Sequence, residues 1–111
     1  MFAFEIPGMR FSLTAGGAVK RHRFVSVDAN SNGVTATAST PVVGVSMNEV
    51  ILNQVLEVSD GIVIVEAGAA VAAGSSIASN ADGKAITATG DAVGVAITSA
   101  SAAGELITIK M

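Results

Sequence analysis

The sequence predicts an all-β domain, on three observations. The apolar half of the composition is β-branched, Gly-containing turn dipeptides punctuate the chain, and the chain repeats itself at a distance of about 50 residues. Of 111 residues, 50% are hydrophobic and 14% charged, and Val, Ile and Thr together make 32 against 4 Leu and 4 Phe. Side chains branched at Cβ are stiff at χ1 and fit a pleated surface better than a helix. The length is that of one domain, able to bury a core without disulfides or metals.

Strands are expected near 19–27, 34–38, 42–46, 50–58, 61–66, 75–79, 85–89, 92–98 and 105–110. Asn32-Gly33, Asp60-Gly61 and Asp82-Gly83 supply the positive φ of tight turns, and Val55 to Val65 reads as a hairpin around Asp60-Gly61. Ala67 to Gly74 has two glycines and no polar face, which argues for a loop rather than a helix.

Sliding the chain by 50 residues aligns Asn30 with Asn80, Gly33 with Gly83, Thr37 with Thr87, Ala38 with Ala88, Val43-Gly44-Val45 with Val93-Gly94-Val95, and Leu56 with Leu106. A slide of 52 aligns Ala18-Val19 with Ala70-Val71 and Val25 with Ile77. Two copies, about 18–66 and 68–111, predict a pseudo-twofold barrel or sandwich in which each half covers the other's apolar face. Gly44 and Gly94 interrupt strands at equivalent places, which predicts close approach of backbones there. Gly33, Gly61 and Gly83 are the expected turn glycines.

Charge is uneven. Residues 1–27 carry Arg10, Lys20, Arg21 and Arg23 against Glu5, a balance of +3, while residues 28–111 carry two lysines against eight carboxylates, a balance of −6. All four Phe (Phe2, Phe4, Phe11, Phe24) lie in the first 24 residues. A basic, aromatic leading segment on an acidic body predicts a contacting segment joined to a compact domain.

Catalytic patterns are missing from the sequence. Gly44-Val45-Ser46-Met47-Asn48 lacks the closing glycine of a nucleophile elbow. His22, the one imidazole, sits between Arg21 and Arg23 and reads as an ordinary strand residue. Glu49, Glu57, Asp60, Glu66, Asp82, Asp91 and Glu105 are spread singly. The expectation is a protein that is not an enzyme, with no catalytic residues, no metal and no cofactor. Lys20-Arg21-His22-Arg23 is dense in cations, but aromatic platforms are few and the body is acidic, so no nucleic-acid partner is expected. No apolar run approaches 18 residues and no signal peptide leads the chain, so no membrane contact is expected.

The second half carries a series that resembles the small capsid decoration, or cement, proteins of tailed bacteriophages. It runs Ala70-Val71-Ala72-Ala73-Gly74, Asp82-Gly83, Ala92-Val93-Gly94-Val95-Ala96, then Ala103-Gly104-Glu105-Leu106-Ile107-Thr108-Ile109, and the first half repeats it loosely through Val42-Val43-Gly44-Val45. The resemblance implies a β-barrel or β-tulip domain at 18–111 preceded by an extended N-terminal arm at 1–17. It also implies a place on the outer capsid surface of the virion, the major capsid protein as partner, and self-association as a homotrimer. In that role the chain would brace the expanded shell by bridging coat subunits. The residues then expected to meet the capsid are Phe2, Phe4, Ile6, Met9, Arg10, Phe11, Lys20, Arg21 and Arg23. Apolar burial alone does not offset the entropy of ordering Met1 to Leu13. The arm is therefore expected to be loose when free and to order by main-chain pairing with a coat strand. The alternative is a lipoyl- or biotin-carrier-like β-sandwich with Lys84 near a hairpin tip, where Asp82-Gly83-Lys84-Ala85 lacks the neighbours of an attachment lysine.

Overall fold

The computed structural model describes residues 3–111, except the side chain of Pro7, so Met1 and Phe2 lie outside the described residues. Among the described residues nine strands follow in chain order: β1 (Ile6–Thr14), β2 (Phe24–Val27), β3 (Gly33–Thr35), β4 (Gly44–Ser46), β5 (Val55–Glu66), β6 (Ser76–Ser79), β7 (Ala85–Thr87), β8 (Gly94–Ala96) and β9 (Leu106–Lys110). They form one sheet in the order β3-β2-β4-β5-β9-β8-β6-β7, with β1 added beside β5. The sheet curls into a half-barrel, and the molecule measures 35 × 25 × 21 Å.

Reversed and renumbered, the strand order reads onto itself: β2, β3, β4 and the first half of β5 correspond to β6, β7, β8 and β9. β1 against Val55–Ser59 corresponds to Ile62–Glu66 against β9. The bridges Ala15↔Gly33 and Val19↔Val50 recur as Ala67↔Ala85 and Val71↔Ala100. β5 thus ends the first copy and opens the second.

The equivalences found by sliding need one correction. Asp28 caps its turn by accepting from the N–H groups of Asn30 and Asn32, as Asn80 does for Asp82 and Lys84. An offset of 52 therefore holds through this turn, so Asp28, not Asn30, matches Asn80, and Ser31, not Gly33, matches Gly83. The same offset matches Ala36 with Ala88, since their N–H groups donate to Phe24 O and Ser76 O. Gly44 and Gly94 keep the offset of 50, because both pair with the 25/77 position. The loop after β3 is two residues longer than the loop after β7. At the end of each copy Val55 and Leu106 occupy the matching place, facing Thr14 and Glu66, so Leu56 matches Ile107 rather than Leu106.

Asp60-Gly61 does not turn the chain. β5 runs through it for twelve residues, with Gly61 at φ +92° and two residues of β1, Gly8 and Met9, opposed to Asp60 alone. Asp-Gly fits a bulge for the same reason that it fits a hairpin, the low cost of positive φ at glycine. The phase of burial shifts there: Leu56 and Val58 enter the core cluster with Val19 and Val25, whereas Val63 and Val65 enter the cluster with Phe24, Ile77, Ile107 and Ile109.

The segment expected as an arm is likewise drawn into the sheet. Ile6–Thr14 pairs with β5, and Phe11 and Leu13 pack on the first core cluster. The expectation that residues 6–13 hang free is therefore corrected: two inward apolar side chains and a strand partner from the same chain together hold them. The strand expected at 19–27 shortens in the same way. Val19 makes one bridge, residues 20–23 form a turn, and β2 starts at Phe24.

Close approach at the strand glycines is realised. A Cβ on Gly44 would lie 2.6 Å from Val58 Cγ1 and 2.8 Å from Ser59 O, and one on Gly94 would lie 2.5 Å from Lys110 O. On Gly17 it would meet nothing within 4 Å. Gly44→Ala is expected to cost about 1–3 kcal/mol through overpacking against backbone. Gly17→Ala is expected to leave stability unchanged or raise it by up to about 1 kcal/mol. Urea denaturation of the two variants checks the contrast.

Candidate functional site

The turn at residues 20–23 is built around a buried serine. Ser46 Oγ donates to Lys20 O and accepts from Arg23 N–H at 3.0 Å, and Ser46 O accepts from His22 N–H at 3.0 Å. His22 adopts φ 64°, so it is a turn residue rather than the strand residue expected. Its Nδ1 donates to Ile64 O at 3.3 Å, and its carbonyl accepts from Glu66 N–H at 2.9 Å. The turn therefore closes the open edge of β5.

Arg23 leaves this turn facing inward. Its Nη2 lies 3.2 Å from Glu66 Oε1, and Lys84 Nζ lies 3.0 Å from Glu66 Oε2, so one carboxylate joins cations from the two copies. Arg23, grouped in the sequence with the exposed Lys20 and Arg21, is occupied within the fold. Burial pushes the Glu66 carboxyl up, but the hydrogen bonds from Lys84 and Arg23, with their charges, outweigh it and hold it below its ordinary value. Burial first, and then the Arg21 charge, lower the His22 pKa against the opposing effects of the Ile64 carbonyl, Glu5 and Glu66. A concavity of about 510 Å³ beside this cluster is lined by Lys20, Arg23, Lys84 and Asp82 with Ala18 and Thr35.

The remaining predicted contact residues divide. Ile6 and Met9 are 61% and 69% exposed, and Arg10 also faces solvent. Phe11 is half-buried. Phe4 exchanges two hydrogen bonds with the Thr108 hydroxyl, at 2.6 and 2.7 Å, which lays the chain before β1 across β9. Phe2 lies outside the described residues. What sequence reasoning missed is Ser46, Glu66 and Thr108, whose partners are 23, 43 and 104 residues away. No spacing rule reaches such pairs.

A second groove, about 620 Å³, lies between residues 37–42 and β6–β7. Its lining is Ala, Ser, Thr, Pro, Val and Ile, with Asp91 as its one ionisable group. Among the described residues no three His, Cys, Asp or Glu side chains come together as a metal site, and no helix is long and apolar enough to cross a membrane.

The phage cement protein family model matches residues 6–111. The chain belongs to the phage cement protein family. Membership makes it a structural protein of the phage virion, at the capsid surface. The match begins at Ile6 and so takes in β1. The fold is shared with the N base of head fiber gp8.5 in bacteriophage phi29, at 20% identity over 91% of each chain and a TM-score of 0.77. No curated protein matches the chain. Lys84, the attachment residue of the carrier alternative, is here the partner of Glu66.

The two titrations add in one direction. A histidine with a lowered folded pKa contributes its full stability above its unfolded value of 6.5, and that stability is lost as the pH falls from there through its folded value. A carboxylate with a lowered folded pKa stabilises above 4.5, and that stability is lost as the pH falls through its folded value. The melting temperature is expected to fall in two stages from pH 7 to pH 3. His22→Asn, which tolerates the left-handed backbone, removes the upper stage, and Glu66→Gln reduces the lower. Glu105, held below its ordinary value by the Ser101 hydroxyl and the N–H groups of Ala102 and Ser101, also takes part in that lower stage. Thermal melts across pH check both.

Proposed function

We propose that this cement protein binds the outer face of the phage capsid and stabilises the expanded shell by bridging coat subunits, working as a homotrimer. The observation that carries this reading is the family match over residues 6–111, which covers the folded body and not a fragment of it. The distribution of exposed groups supports it. Ile6, Met9 and Arg10 on β1, with Lys20 and Arg21, offer apolar and cationic contacts on a chain whose remainder is acidic. Cations on such a surface speed and orient docking against acidic patches of a coat lattice. Small side chains throughout the body give each monomer a modest core, and association adds burial.

The test is co-sedimentation with expanded and unexpanded capsids. Retention on expanded shells only, with a raised capsid melting temperature, is the expected result, and equal retention on both forms, or retention on neither, defeats the proposal. Lys20→Glu with Arg21→Glu is expected to weaken binding about tenfold at low salt and less at high salt, since solvent-exposed charges are screened over roughly 8 Å at physiological ionic strength. Sedimentation equilibrium reads the trimer.

A further inference from the structure

We propose that the outer edge of β1, at Arg10, Ser12 and Thr14, is an acceptor for an extended, carboxylate-bearing segment of the coat protein. This rests on the capsid-binding reading above and names how the contact is made.

Main-chain direction follows from β5. Glu57 sends its N–H to Asn48 Oδ1 and takes the Met47 N–H on its carbonyl, both on the β4 side, and Val55 O likewise accepts from Asn48 Nδ2. In an antiparallel pair, residues opposite such positions direct their own N–H and C=O away from the partner. Ser12 faces Glu57 and Thr14 faces Val55, so their N–H and C=O groups point away from β5, and Arg10 follows by alternation. The Thr14 carbonyl is met by Gly33 through the parallel bridge at Ala15↔Gly33, which leaves Arg10, Ser12 and the Thr14 N–H as the open groups. Apart from that contact at its end, β1 pairs with β5 alone among the described residues.

The molecule contains its own comparison. Ile62–Glu66 is the counterpart of Arg10–Thr14, and there the outward groups are taken: His22 donates to Ile64 O and accepts from Glu66 N–H. The counterpart of His22 is Gly74, which has no ring, and its carbonyl receives no N–H from β1 among the described residues. One copy of the motif closes this edge within the chain and the other leaves it open.

Length and charge select the occupant. Pro7 lacks an N–H and the bulge at Gly8–Met9 twists the strand, so the usable row is the five residues 10–14. The row itself carries one cation, Arg10, and no carboxylate. Of the carboxylates behind it on β5, Glu57 takes the Ser12 hydroxyl and Asp60 the Met9 N–H, and Arg10 makes no ion pair among the described residues. A second β1 would add a cation, whereas an acidic extended segment neutralises it. Backbone pairing then supplies attraction and Arg10 supplies selection.

Ser12→Pro deletes the central outward N–H, while Ser12→Ala removes only the hydroxyl that donates to Glu57. With expanded capsids lacking this protein, the wild type and Ser12→Ala are expected to bind alike. Ser12→Pro is expected to bind at least tenfold more weakly with an unchanged melting temperature, and Arg10→Glu severalfold more weakly. Ser12→Pro binding like the wild type overturns the edge proposal and leaves the capsid reading standing. A wild type that binds no capsid overturns both. Self-association of the wild type that Ser12→Pro abolishes overturns the coat segment as occupant. Should Ser12→Pro unfold, amide exchange of the wild type decides: Ser12 and Thr14 N–H slow at least tenfold on the capsid, and unchanged exchange refutes the pairing.

Discussion

The fold depends on one strand doing two jobs. β5 gives its first half to β1 and β4 and its second half to β9, and the positive φ of Gly61 lets a continuous strand change its buried face between the two. Without that change of phase, Ile62 and Ile64 would point to the side of Leu56 and Val58, and Val63 and Val65 would face away from it. The rest of the architecture is then two similar packages hung on either end of the same rod. Cross-contacts lock them: Phe24 N–H donates to Gly83 O, and Glu66 bridges Arg23 and Lys84.

The two packages reach the same backbone by different chemistry. His22, Ser31 and Asn53 hold φ of 64°, 64° and 69°, and their counterparts Gly74, Gly83 and Gly104 hold 85°, 73° and 93°. Left-handed backbone costs a non-glycine residue roughly 1–2 kcal/mol. The first copy accepts this where the side chain is used, as at His22, whose ring meets Ile64 O. The second copy has no such use and takes glycine. Ser46 belongs to the same bargain: its hydroxyl organises the turn at 20–23, while its counterpart Ala96 has none to offer.

Much of this was legible in the sequence, and the unread part has a common cause. β-Branched runs located β3, β4 and β6 to β9 within about three residues, and paired Val-Gly-Val stretches marked the close approaches at Gly44 and Gly94. β2 and β5 begin five residues later than expected, and β5 is one strand where two were expected. Asp60-Gly61 misled because its local preference serves a hairpin and a bulge equally, and only the partner strand decides. β1 was read as an arm because the aromatic and basic residues near it stand out, although Phe11 and Leu13 face a core built from distant strands. The copy boundaries slipped by two because a longer loop after β3 is invisible to an ungapped slide. The basic cluster divided for a reason of the same kind: Arg23 finds Glu66 43 residues on, and nothing nearby announces it.

The strands at the two rims of the sheet, β3 and β7, are three residues each, and each is tied down at its first residue by the N–H of Gly16 or Gly68. Such stubs offer little template for sheet-to-sheet growth. For a protein of the capsid surface such blunt flanks have a consequence: two molecules that meet there by these rims have no long backbone row along which to zip into fibrils.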